Sequence, residues 1–359
     1  MNTHDIAVIG GDGIGPEVTR EALKVLDAAA EVFGFTTRRT DYPFGSEHFL
    51  KTGEILPDAA FEEIRGQQAV FLGAIGDPRL PVGKIEYGII ARLRFDLDLY
   101  INLRPIKLYD ERLCPLKGKT VDDVDMVIIR ENTEGAYAGM HGFVHKNQPL
   151  EVATQTMVYT REGVERAVRY AFELARQRDK RRTVTLVDKA NAVRAHDIWT
   201  RTFAEVAEEY SDIKTEHAYI DAACMWMVKN PEWFDVAVTP NLFGDIITDL
   251  GAMVQGGMGV AASGNIHPGQ VSLFEPIHGS APKHAGKNVA SPVAAIMAAS
   301  MLLDYVGEKT AAAAIEEALA TLLRDGRLKG VGTGDQATNE VGDLVAGLLR
   351  AADSRVGTA

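Results

Sequence analysis

Asn241-Leu-Phe-Gly-Asp-Ile-Ile-Thr-Asp249 follows the apolar run Phe234-Asp-Val-Ala-Val-Thr239, with only Pro240 between them. The pair reads as a strand feeding a helix that begins near Asn241. On such a helix Asp245 and Asp249 project from one face, about one turn apart. Two like charges at that spacing repel by a few tenths of a kcal/mol unless a cation lies between them. Residues 241–262 contain no Lys or Arg. The missing cation therefore reads as a metal ion, and oxygen-only ligands point to Mg or Mn.

The same alternation extends outward. Ile6–Ile9 precedes a helical stretch from about Pro16 to Val32. Ala69–Leu72, Met126–Ile129, Thr183–Val187 and Val236–Thr239 are further strand-like runs, each followed by helix-like sequence. Strand–helix alternation predicts an α/β fold with a mostly parallel sheet. Gly142, Asn147 and Pro149 interrupt alternating residues over His141–Thr160, which reads as a hairpin arm. Residues 251–292 are rich in Gly, Ser, Ala and Pro and read as an ordered binding loop. The Ala-rich stretches 309–323 and 340–352 read as covering helices.

Bulk properties exclude several classes of function. A chain of 359 residues exceeds one ordinary core, so one large or two interleaved domains are expected. With 46% hydrophobic and 25% charged residues it is not a disordered chain. The net charge of −12 disfavours nucleic acid and anionic membranes as partners, and obliges any anionic substrate to find a local basic cluster. Two distant cysteines, Cys114 and Cys224, give neither a disulfide framework nor a thiolate zinc site. No run is long enough to span a bilayer and no leader is evident, so a cytoplasmic location is expected.

Four further motifs bear chemistry. Gly10-Gly-Asp-Gly-Ile-Gly-Pro16 follows the first strand, but its glycines lack the G-x-G-x-x-G spacing, so a tight strand–helix turn is expected rather than a Rossmann site. Arg92, Arg94, Arg104 and Arg130 fall near the ends of elements and suit a pocket that grips a di- or tricarboxylate. Tyr137 closes Arg130-Glu-Asn-Thr-Glu-Gly-Ala-Tyr137 and is placed to donate a proton. Lys189 ends the strand Thr183–Val187 within Asp188-Lys-Ala-Asn191, and Asp221 offers a third carboxylate. The loop Glu275-Pro-Ile-His-Gly-Ser-Ala-Pro282 has backbone amides that suit a phosphate, and its His278 suits an adenine.

Together these motifs resemble the β-decarboxylating dehydrogenases, the family that acts on isopropylmalate, isocitrate, homoisocitrate and D-malate or tartrate. The resemblance runs nearly end to end, and Asn241–Asp249 followed by Gly257-Met-Gly-Val260 is its most specific part. It implies a two-domain, non-Rossmann α/β fold with parallel and antiparallel sheet. A larger cofactor-side domain of residues 1–102 and 253–359 would be formed by both termini. A smaller domain, 103–252, would carry substrate, metal and dimer contacts with the arm 141–160. Homodimers or larger assemblies with shared active sites are implied.

Carried over by residue, the resemblance gives Arg94, Arg104 and Arg130 the carboxylates of a small 2-hydroxy dicarboxylate. Asp245 and Asp249, with Asp221 of a second copy, would hold Mg or Mn. Lys189 of that copy would relay the hydroxyl proton, and Tyr137 would protonate the enol carbon. Glu275, His278, Gly279, Ser280, Ala281, Lys283 and Asn288 would line the cofactor site. Ile89 and Ile90, before Arg94, could not hydrogen-bond a third carboxylate, which favours 3-isopropylmalate. Arg92 leaves homoisocitrate or isocitrate open, and Arg130–Gly135 leaves D-malate or tartrate open. NAD is the expected cofactor, with NADP possible because Lys283-His284 stand where NAD-using members carry Asp. A metal-dependent hydrolase or lyase and a catalytically silent family member are the alternatives of a different class.

Overall fold

The computed structural model describes residues 2–356. Met1 and residues 357–359, which the expected larger domain includes, lie outside the described residues. The described strands are β1 (Thr3–Gly11), β2 (Thr36–Tyr42), β3 (Ala69–Ala74), β4 (Ile101–Lys107), β5 (Asp125–Glu131), β6 (His141–Val144) and β7 (Val152–Gln155), followed by β8 (Thr183–Asp188), β9 (Lys214–Tyr219), β10 (Val236–Thr239), β11 (Ala262–Ile266) and β12 (Ser272–Pro276). The chain divides into two compact units. One comprises Met1–Leu99, Lys107–Val121 and Ala252–Ala359, the other Tyr100–Ile106 and Asp122–Gly251.

In the first unit the strands lie in the order β2-β1-β3-β12-β11. β1 runs parallel to β2 and β3, β12 parallel to β3, and β11 antiparallel to β12. This mixed sheet differs from the Rossmann strand order, as the glycine spacing implies. The helix Gly15–Phe33 starts with Pro16 in its first turn, where a missing N–H costs nothing, and closes on Gly34 at φ 76°. Val18, Ala22, Val25, Leu26 and Ala29 recur at helical spacing and form its buried face. The helix Val293–Tyr305 is apolar almost all round and lies inside the unit, with Val293, Ile296, Leu302 and Leu303 fully buried.

The expected binding loop over 251–292 is only partly a loop. Ser272–Pro276 and Ala262–Ile266 pair as antiparallel strands, and every residue of both is buried. Small residues there serve close packing: a Cβ on Gly264 would come within 3.0 Å of the Phe274 ring.

In the second unit the order is β4-β5-β10-β8-β9, with β10 parallel to β5 and β8, and β8 parallel to β9. Val236–Thr239 is completely buried, which explains its unbroken apolar sequence. The helix Arg161–Arg178 is capped by Thr160, whose hydroxyl accepts from Gly163 N at 2.9 Å. Replacing such a cap costs about 1 kcal/mol. Its buried Phe172 stacks on Tyr210 and meets Phe203. β6 and β7 pair antiparallel as the hairpin, with His145 and Asn147 at positive φ in the connection.

Candidate active site

β5 delivers Arg130 to the underside of the helix Asn241–Val254. The helix starts at Asn241 as the sequence predicts. Arg130 is 3% exposed, donating through Nε to Asn241 Oδ1 at 2.9 Å and through Nη1 to Asp245 Oδ1 at 2.5 Å. Its stem passes so close to the helix that a Cβ on Gly244 would lie 2.5 Å from Arg130 Cγ. Tyr137 OH donates to the other oxygen of Asp245 at 3.0 Å, and the Arg130 guanidinium lies 5.7 Å from the Tyr137 ring centroid. An expected substrate cation, an expected proton donor and an expected metal ligand are thus in mutual contact.

This geometry corrects the sequence argument for a metal. The cation missing from residues 241–262 is supplied in part by Arg130, 115 residues before Asp245. A divalent ion is therefore not required to neutralise Asp245. The donor set still suits one: a carboxylate has about four lone-pair sites, and two are engaged here. Asp249 is exposed and forms no ion pair among the described residues.

Lys189 and Asp221 form a second cluster. Lys189 follows β8, and its Nζ donates to Asp221 Oδ1 at 2.6 Å. That hydrogen bond holds the Asp221 carboxyl below its usual range. The neighbour of the Lys189 ammonium is thus an anion. Among the described residues no three His, Cys, Asp or Glu side chains gather as a metal site within one chain. The three expected aspartates are consequently not united by a single copy.

Arg104 is also buried, with Nε donating to Asn102 Oδ1 at 2.7 Å within β4. Next to Arg130, Glu131 is fully buried and accepts from Thr133 N, Thr133 OH and Glu134 N at 2.7–2.9 Å. Burial pushes its pKa up to about 7.

In the first unit Arg94 pairs with Glu275 at 3.0 Å, and Asn265 Nδ2 donates to the same carboxylate oxygen at 2.9 Å. The glycine turn after β1 packs against the loop Glu275–Pro282. Ile14 N donates to Ser280 O at 2.8 Å, and a Cβ on Gly13, at φ 58°, would lie 1.9 Å from that oxygen. Asp12 fixes the turn by accepting from Ser46 N, Ser46 OH and Gly76 N. In the sequence, the signal for this role of Asp12 is its place between two glycines of a turn.

The residues of the expected cofactor loop are arranged unequally. His278 Nδ1 lies 3.1 Å from Gly279 O and takes the donor role, because a carbonyl only accepts. Its Nε2 is buried with no partner among the described residues, and burial lowers the pKa of the ring. A neutral imidazole with a bare, buried acceptor fits an adenine amino group. Gly279 has open space around it, Ala281 has φ 39°, and Lys283 is exposed without an ion pair among the described residues. Asn288 is committed within the chain, exchanging hydrogen bonds with Asn339.

Two expectations near Arg94 change. Tyr87–Ala91 forms a π turn, and Ile89 is fully buried in the apolar core, so it cannot face a ligand. Ile90 remains partly exposed at the core's edge. Arg92 is turned away to Leu56 O and Asp58, with its guanidinium 4.8 Å from the Phe61 ring centroid. The third-carboxylate contact considered for Arg92 is absent from this arrangement.

Residues 5–345 match the sequence pattern described as isocitrate/isopropylmalate dehydrogenase. The chain is 49% identical over 347 residues to the 3-isopropylmalate dehydrogenase of Thermobifida fusca, covering 96% of this chain and 97% of that one. It is 48% identical over 347 residues to the enzyme of the same name from Mycobacterium avium, covering 96% and 99%. Among solved structures it resembles the isocitrate dehydrogenase of Methylococcus capsulatus, with a TM-score of 0.86, 37% identity and coverage of 97% and 99%. A β-decarboxylating dehydrogenase from Thermococcus kodakarensis gives a TM-score of 0.80, 34% identity and coverage of 99% of both chains.

Proposed function

Because the chain belongs to the isocitrate/isopropylmalate dehydrogenase family, we propose that it oxidises and decarboxylates 3-isopropylmalate to 2-oxoisocaproate, a step of leucine biosynthesis in the cytoplasm. NAD is the proposed hydride acceptor and Mg or Mn the metal. The observation that carries the reading is the contact of Arg130 and Tyr137 with the two oxygens of Asp245.

Arg94, Arg104 and Arg130 hold the substrate carboxylates, offering planar forks that pair with carboxylate oxygens. Lys189 takes the proton of the 2-hydroxyl, and Tyr137 delivers a proton to the carbon that loses CO2. When bound, a nicotinamide would supply hydride-accepting chemistry and a divalent ion Lewis acidity. Asp245 and Asp249 of one copy would hold the ion, and Asp221 of a second copy would complete the set, that copy also contributing Lys189. His278, Gly279, Ser280 and Ala281 receive the nucleotide, with Glu275, Lys283 and Asn288 at its edges.

A homodimer is supported by apolar side chains left exposed on the elements that bear these ligands. Ile246 and Met253 lie exposed on the helix Asn241–Val254, and Met225 and Val228 on Ile220–Lys229. Phe143, Val144, Leu150 and Val152 are exposed on the hairpin. Large apolar side chains exposed in this number suit a face that docks on another protein surface. No described helix is long and apolar enough to cross a membrane.

The diversion of Arg92 and the partial exposure of Ile90 favour an apolar substituent over a third carboxylate. Initial rates with 3-isopropylmalate, D-malate, tartrate, isocitrate and homoisocitrate against NAD and NADP test the assignment. The highest kcat/KM is expected for 3-isopropylmalate with NAD. A higher value for any other acid overturns the substrate assignment.

A further inference from the structure

Lys189 is held through its backbone as well as through its ammonium. Its N–H donates to His196 Nδ1 at 3.0 Å, and its carbonyl accepts from Ala192 N at 3.0 Å and Val193 N at 2.7 Å. The preceding residue, Asp188, is fully buried and accepts from Ala190 N at 3.1 Å and from His217 Nε2 at 2.9 Å. His196 is itself 1% exposed, and its Nε2 lies 3.0 Å from Tyr159 OH. Its ring meets Tyr159 and Phe243 edge-on, at centroid distances of 5.2 and 5.3 Å. Tyr159 stands at the base of the hairpin, next to Val158, which bridges to Gly135. Phe243 lies in the first turn of the helix that carries Asp245 and Asp249.

These contacts define a single tautomer. A backbone N–H pointing at Nδ1 leaves that nitrogen without a proton, so the neutral ring carries its hydrogen on Nε2 and donates it to Tyr159. A second proton on Nδ1 would face the Lys189 N–H and break the bond. Burial opposes that proton, while the Asp188 charge favours it; burial dominates.

We infer that His196 is a positioning residue: as the neutral Nε2–H tautomer it fixes the backbone of Lys189 and couples that loop to the hairpin base and to the helix bearing Asp245. The inference rests on the proposal that Lys189 carries the substrate's hydroxyl proton. Loss of the anchor lets the Lys189 backbone drift, which affects proton transfer more than substrate binding.

The test compares substitutions in the full-length protein. His196→Phe keeps an aromatic ring and removes both nitrogens; kcat is expected to fall about 10- to 100-fold, with KM changing less than about threefold. His196→Asn restores an acceptor where Nδ1 stood and is expected to recover kcat to within about threefold of the parent. A space-filling role predicts the opposite order, with Phe tolerated and Asn not, and that order overturns the proposal. If the phenylalanine variant does not fold, His196→Gln, which removes the Nδ1 acceptor, takes its place with the same expected loss. The second readout is the 15N spectrum of His196, expected to report the neutral Nε2–H form at about pH 7 and above. A Nδ1–H or cationic ring contradicts the inference. A parent protein that reduces neither cofactor with any of the five acids refutes the dehydrogenase reading instead, and the spectrum still decides the His196 geometry.

Discussion

Arg130 donates to Asp245 Oδ1 at 2.5 Å while Tyr137 donates to Asp245 Oδ2 at 3.0 Å. One carboxylate therefore orients both the buried guanidinium and the phenol. Asp245→Asn keeps the shape but removes the charge. Outer-shell losses typically cost about 10- to 100-fold in metal affinity, and a direct ligand costs at least as much. Mn titration by calorimetry should show that loss together with a comparable fall in kcat. Full metal-dependent activity in the variant would remove Asp245 from the metal site.

Gly244→Ala sets two effects of opposite sign against each other. Helix propensity alone would stabilise the variant by about 1 kcal/mol. The new Cβ, however, would lie 2.5 Å from Arg130 Cγ, and Arg130 is pinned at Asn241 and Asp245. Overpacking of this kind costs about 1–3 kcal/mol, so a lower Tm and a raised substrate KM are expected. An unchanged KM with a higher Tm would show that Arg130 can move aside.

Glu131 supplies a pH signature. Its folded pKa is raised from 4.5 to about 7 by burial, so the folded state holds the proton more tightly than the unfolded chain. The associated stability is present below 4.5 and is lost as pH rises through about 7. The magnitude is on the order of 3 kcal/mol. Relative to the parent, Glu131→Gln should gain thermal stability between about pH 5 and pH 8. Parallel melting curves for the two proteins across that range would contradict the raised pKa.

Shared sites predict complementation between two inactive homodimers, Lys189→Ala and Asp245→Asn. Random reassortment makes about half the dimers mixed, and each mixed dimer has one intact site, giving about a quarter of parental activity. A mixture that stays inactive after verified subunit exchange would place Lys189 and Asp245 of the same copy in one site.

Lys283 is exposed and free to meet a 2′-phosphate, whereas NAD offers it only a ribose hydroxyl. Lys283→Ala should therefore lower the NADP/NAD ratio of kcat/KM, by about tenfold for the loss of one charge-assisted contact. An unchanged ratio would place Lys283 away from the adenosine ribose.

The sequence disclosed what local periodicity encodes. Val236–Thr239 is a strand and Asn241 opens a helix because β-branched clustering and helical spacing act over a few residues. The cation at Asp245 was hidden because its source, Arg130, is 115 residues distant and lies on another strand. Ile89 looked like a substrate contact because sequence does not reveal the π turn that accompanies its burial. The small residues of 262–276 suggested a loop, although they permit a tightly packed strand pair. His196 carries no motif of its own, and Asp12 only its place between two glycines; their roles arise from partners such as Tyr159 for His196 and Ser46 for Asp12, which only the fold brings to them.

The most direct test supplies the purified protein with 3-isopropylmalate, NAD and Mg, and measures reduced cofactor and released CO2 in the same reaction. Oxidation coupled to decarboxylation predicts equal amounts of the two, with both abolished by chelation of the metal. Release of CO2 without reduction of NAD, or NADH formed without CO2, would contradict the proposed reaction.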